Sequence, residues 1–165
     1  MTNQKCAVII SGFPGVGKTV LHEERHDGQC FNDQGRYTIY DVETIASDPQ
    51  SRGYWQTAEE LTQKEDAVVL VVASEYSHRM MLSLGWRFVC VYPSLDLKDE
   101  SLKRYFDRNG PDATWNVMGR DWEEKIEELD VGYNEACTDL ELMAGEFLAD
   151  VLRDILAGVE DGTLF

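Results

Sequence analysis

Positive charge is scarce in this chain: 165 residues carry 15 Lys and Arg against 31 Asp and Glu, a net charge of −16. Spread evenly, that balance would exclude a surface for polyanions. It is not spread evenly, because residues 121–165 hold 14 acids against only Lys125 and Arg153. An acidic tail of this kind is compatible with a locally basic site in the first 120 residues. Cysteine is also sparse. Cys6, Cys30, Cys90 and Cys137 lie far apart with no C-x-x-C spacing, which argues against a disulfide framework or a zinc site and for buried free thiols. No apolar run approaches the ~20 residues needed to cross a bilayer. Met1 to Lys5 leads directly into a strand-like run, without the pattern of a secretory leader. No linker, repeat or low-complexity segment divides the chain, so the expectation is one domain over residues 1–165, soluble and cytoplasmic.

Glycine is placed with purpose. Gly12-Phe13-Pro14-Gly15-Val16-Gly17-Lys18-Thr19 fits G-x-x-x-x-G-K-[ST] at every fixed position. The apolar run Ala7 to Ile10 before it reads as a buried parallel strand, and the residues after it as the start of a helix. Glycines let successive N–H groups point into one concavity, the helix start adds the positive end of its dipole, Lys18 can reach β- and γ-phosphates, and Thr19 can ligate Mg²⁺. The expected ligand is a Mg²⁺-nucleoside triphosphate.

Further along, the first helix is expected over residues 18–26. It contains His22-Glu23-Glu24-Arg25-His26, a literal H-E-x-x-H. The helix is already committed to the phosphate loop, so a solvated polar face is the reading preferred over a metalloprotease site. A second strand, residues 36–40, ends at Asp41, with Glu43 just beyond. Asp41 would either face the crevice at the carboxyl ends of the strands or cap the next helix, two roles of equal weight here. Residues 47–53 read as a loop and 55–65 as a helix, with Arg52, Tyr54 and Trp55 as candidate acceptor contacts.

Ala67 to Ala73 is continuously apolar and so is a strand buried on both faces. Typical phosphate-loop proteins end this strand in a metal-linked Asp. Here Ser74-Glu75 follows, which leaves Asp41 or Glu75 to hold the metal through water. A crossover helix over 78–84 brings Arg79 near the site. The fourth strand is expected over 86–92. A helix over 95–108 follows it, and a lid over 95–112 would carry Arg104 and Arg108 on one face as a clamp for transferring phosphates. The alternative is a solvated helix with surface ion pairs. Apolar steps of three and four predict two long C-terminal helices within 115–157, the second running through Tyr133, Cys137, Leu140, Ala144, Phe147, Val151 and Ile155.

The alternation of strands and helices defines an α/β three-layer sandwich with a parallel sheet of about four strands, for which the kinase-type order 2-3-1-4 is adopted. The stretches IISGFPGVGKT, VVLVVASEY, VCVYPSLDLKDESLKRYFDRNG and WEEKIEEL resemble a family of small phage and prophage P-loop kinases, those that phosphorylate 5-hydroxymethyluridine (5-hmdU) in DNA during thymidine hypermodification. More distantly they are similar to nucleoside monophosphate kinases. The resemblance covers most of residues 6–130. It implies γ-phosphoryl transfer from ATP to a hydroxyl acceptor, in a host cytoplasm if the chain is phage-encoded. Lys18 and Thr19 would hold triphosphate and metal, Asp41 would serve as base or acceptor anchor, and Arg104 and Arg108 would be lid arginines. Ser74-Glu75 departs from the serine-histidine ending of that family, which touches acceptor identity. A free nucleotide or nucleoside kinase, and a slow nucleotide-dependent switch, are the rival readings.

Overall fold

Alternating side chains along the strands send Val8, Ile10, Val68 and Leu70 to one face of the sheet and Ile9, Val69 and Val71 to the other, all of them buried. Two-sided burial is what continuously apolar strands require. The computed structural model describes residues 7–23, 37–129 and 135–164. Its five parallel strands are β1 (Val8–Gly12), β2 (Thr38–Asp41), β3 (Ala67–Val72), β4 (Phe88–Pro93) and β5 (Cys137–Leu142), in the order β2-β3-β1-β4-β5. The expected order of the first four strands holds, and a fifth is added at the edge.

The helices are α1 (Lys18–Glu23), α2 (Val42–Ile45), α3 (Arg52–Thr62), α4 (Glu75–Ser83), α5 (Lys98–Asn109), α6 (Ala113–Arg120), α7 (Trp122–Glu127) and α8 (Leu148–Glu160), with a short 3₁₀ turn, Leu95–Leu97, ahead of α5. Leu21, Met118, Trp122, Ile126 and the α8 residues Leu148, Leu152 and Ile155 cover one face of the sheet. Val42, Tyr54, Trp55, Ala58, Leu61 and Met81 cover the other. Among the described residues no helix is long and apolar enough to cross a membrane.

The C-terminal third corrects the expectation of two long helices. The first is broken at Asp121, whose N–H closes α6 on Val117 O at 2.8 Å, while Trp122 Nε1 donates to Leu95 O at 2.9 Å and turns the chain. The second is a strand followed by a helix. Cys137 and Leu140 are three apart and mimic a helical stripe, but the unpaired edge of β4 captures this segment in register from Phe88↔Cys137 to Pro93↔Leu142. Backbone pairing along an open edge outweighs a weak local periodicity. Tyr133, His26, Cys6 and Cys30 lie outside the described residues. Cys90 and Cys137 are free thiols, Cys90 buried and Cys137 half-buried.

One polar pair is sealed inside this core. His78 on α4 is fully buried, with Nε2 2.8 Å from Ser11 Oγ and its ring 5.0 Å from that of Phe88. Burial disfavours the charged imidazolium and pushes the pKa down to about 4. The neutral ring therefore stabilises the fold fully above pH 6.5, and that contribution is lost as pH falls from 6.5 toward 4, roughly 3 kcal/mol in all. Urea denaturation of the protein and of His78→Gln at pH 7 and pH 4.5 is expected to show a smaller acid loss in the variant. Equal losses would mean that His78 contributes nothing to acid sensitivity.

Candidate active site

The glycine-rich loop leaves β1 held by the sheet on both sides. Phe13 N donates to Val91 O at 2.9 Å, and Ala73 N donates to Gly12 O at 3.0 Å. Gly15 and Gly17 take φ of +85° and +99°, the left-handed region that side-chain-bearing residues avoid. A Cβ on Gly12 would sit 2.9 Å from the Lys18 stem, so glycine there makes room for the lysine to fold back over the loop. Lys18 is 6% exposed. Its ammonium donates to Gly12 O at 2.7 Å and lies 3.6 Å from a carboxylate oxygen of Glu43.

The far side of the loop is braced by the start of α8. Leu148 N donates to Val16 O at 2.8 Å, and a Cβ on Gly17 would meet the Phe147 ring at 3.5 Å. The guanidinium of Arg104 lies 4.0 Å over that ring, bonds Glu146 O at 3.0 Å and pairs with Glu100, which in turn accepts from Gly145 N at 3.0 Å. These contacts clasp α5 to the β5–α8 connection.

A cavity of about 750 Å³ opens above the loop. Pro14, Gly15, Gly17, Lys18 and Thr19 form its floor, Glu43 and Thr44 one wall, and Arg104, Tyr105, Arg108 and Asn109 the opposite wall. Its volume suits a nucleotide. The sequence-predicted Lys18, Thr19, Arg104 and Arg108 thus meet around one space, with Arg104 drawn into the clasp and Arg108 exposed on the last turn of α5.

The carboxylates separate. Asp41 is fully buried at the end of β2 and caps α2, its Oδ1 accepting from Glu43 N at 3.1 Å. Glu43 lines the cavity, and Asp41 is not among the lining residues. Glu75 lines a different cavity and pairs with the exposed Arg79. Tyr54 and Trp55 are core residues: the Tyr54 hydroxyl accepts from Val72 N at 3.2 Å, Trp55 Nε1 donates to Pro49 O at 2.8 Å, and burial raises the Tyr54 pKa above its usual value. Arg52 is exposed on α3.

Glu43 and Phe147 are the residues that sequence reasoning missed as site members. Glu43 stood two positions past a strand end, where one helical turn redirects it to the crevice. Phe147 gave no signal, because it was read as one step of a helical stripe.

Mg²⁺ has a consistent donor set here, since Thr19 and Glu43 border one cavity and this metal favours one or two protein oxygens together with substrate phosphates. Among the described residues there is no group of three or more His, Cys, Asp or Glu side chains arranged for a metal.

This combination of parallel sheet order and phosphate loop defines the fold of the small P-loop kinases. A gluconokinase from Sinorhizobium meliloti 1021 superposes with a TM-score of 0.53 at 16% identity, covering 94% of this chain and 91% of its own. A shikimate kinase from Acinetobacter baumannii, in complex with shikimate, gives 0.53 at 19% identity and 96% coverage of each chain. No protein-family model and no curated protein matches the sequence.

Proposed function

We propose that the protein is an ATP-dependent phosphotransferase acting on an alcohol. The observation that carries this reading is the convergence of Lys18, Thr19 and Glu43 on one cavity above a phosphate loop with two left-handed glycines. The backbone N–H groups of residues 15–19 hold the phosphate chain, and Lys18 neutralises its β- and γ-oxygens. Bound Mg²⁺, held by Thr19 and Glu43, supplies further neutralisation of the same oxygens. The acceptor hydroxyl oxygen bonds to the γ-phosphorus as the bond from that phosphorus to the β,γ-bridging oxygen breaks. ADP leaves, and the hydroxyl proton passes to a carboxylate.

Glu43 is the carboxylate we assign to the proton, with Asp41 fixing the turn that carries it. Arg108 faces the transferring group, while Arg104 and Phe147 flank the loop at Gly17 and bound the nucleoside end. Positioning and charge account for the rate, as they do for this reaction class in general.

The acceptor favoured by the family resemblance is the 5-hydroxymethyl group of 5-hydroxymethyl-deoxyuridine in DNA, which projects into the major groove. The rival acceptor is a free nucleoside or nucleotide, favoured by the net charge of −16, which opposes a DNA surface. Incubation with γ-labelled ATP and either hydroxymethyluracil-containing DNA or a panel of nucleosides and mononucleotides is expected to label an acceptor over many turnovers. Label confined to the free compounds removes the DNA reading. Tight nucleotide binding without turnover on any acceptor would leave only a nucleotide-dependent switch.

A further inference from the structure

A second cavity of about 440 Å³ adjoins the first and shares Pro14 and Thr114 with it. It is bounded by the start of the phosphate loop, by the β3–α4 turn and by α6 and α7. Its position relative to the loop gives it a role. Lys18 Nζ reaches back beneath Gly12 and Phe13, 2.7 and 3.5 Å from their carbonyl oxygens. The ammonium that grips the outer phosphates therefore sits at the Gly12–Pro14 end of the loop, and Gly17 with Phe147 marks the opposite end. The terminal phosphate of a bound triphosphate lies toward Pro14, the wall common to both cavities.

The lining fixes the chemistry of an occupant. Phe13, Tyr76, Val117, Met118 and Leu129 make most of the surface apolar. Lys125 is the one cation in the wall, and its ammonium is bonded by both oxygens of Glu128, at 3.1 and 2.9 Å. Glu75, the other charged side chain, pairs with Arg79. An anionic acceptor would meet two carboxylates and a lysine already neutralised, and would lose its hydration without a counter-charge.

We infer that this second cavity is the acceptor pocket, and that its occupant is an uncharged, ring-bearing alcohol whose ring lies among Phe13, Tyr76 and Val117 while its hydroxyl reaches past Pro14 to the γ-phosphate. The inference rests on the phosphotransferase reading and deepens it. Phosphoryl transfer then follows the balance already given: the hydroxyl oxygen takes the γ-phosphoryl group, ADP departs, and the proton leaves the alcohol. A ring of this class could arrive as a free nucleoside or as a base turned out of a DNA strand.

The test is acceptor-dependent ADP release by the full chain. The probes are free 5-hydroxymethyl-2′-deoxyuridine, a single-stranded oligonucleotide carrying the same base, and the anions gluconate and shikimate. Turnover with either neutral probe and none with the anions is expected, and which neutral probe is used identifies the source. Val117→Trp fills the cavity from a half-buried position and is expected to raise the KM for the neutral probe at least tenfold, with ATP affinity and melting temperature retained. Tyr76→Ala, at an exposed residue, is expected to raise it several-fold without risk to the fold. Preference for the anions, or an unchanged KM in both variants, overturns the pocket assignment while leaving the kinase reading intact. Absence of turnover with every probe, in a protein that binds ATP, overturns both.

Discussion

Lys18→Ala is expected to reduce phosphoryl transfer by about 10²–10³-fold, the scale found when one preorganised electrostatic contact to a transition state is removed. The loss should fall on kcat, because the developing charge on the outer phosphates is what the ammonium meets. Lys18 is 6% exposed, and its ammonium bonds Gly12 O at 2.7 Å, so the alanine variant also empties space beneath the loop. Lys18→Met retains the stem and isolates the charge. Equal activity losses in the two variants, with the melting temperature of the methionine form near that of the parent protein, would tie the effect to chemistry. Retained transfer in Lys18→Met would place the phosphate site elsewhere.

The second large effect is expected at Glu43→Gln, a fall in kcat of about 10²–10⁴-fold, the range attributed to a positioned acid or base. The carboxylate lies 3.6 Å from the Lys18 ammonium and borders the cavity, and glutamine keeps its shape without its charge. Asp41→Asn is the informative partner. An asparagine oxygen can still accept from the N–H of residue 43 as Asp41 Oδ1 does, so a smaller effect is expected there. If instead Asp41→Asn abolishes transfer and Glu43→Gln spares it, the two carboxylates exchange roles. Single-turnover kinetics in both variants would separate the chemical step from product release.

Both predictions depend on a site that was legible to different depths. The phosphate loop could be read residue by residue, because glycines at fixed spacing and a following Lys-Thr serve few other purposes. The strands β1, β3 and β4 were legible for a similar reason: a run such as Ala67 to Val72, apolar on both sides, can be hidden only inside a parallel sheet. Strand β5 was not legible. In Cys137–Leu142 polar and apolar residues are mixed because one side of an edge strand is open, and the decisive partner, the free edge of β4, lies 49 residues earlier at Phe88↔Cys137. The carboxylate geometry was hidden for another reason. Asp41 and Glu43 are two residues apart, and which of them faces the crevice depends on the first turn of a four-residue helix whose cap is Asp41 itself.

The clasp at the head of α8 restricts how the enzyme could close over its ligands. Glu100 and Arg104 tether the middle of α5 to residues 145–147, and the same connection is bolted to the loop through Leu148 and Val16. A swing of the whole of α5 would have to tear the phosphate floor with it. Any gate therefore operates over a short lever, beyond Arg104 and pivoting near Gly110, where φ is +72°, and it carries Arg108 while leaving the platform beside Gly17 stationary.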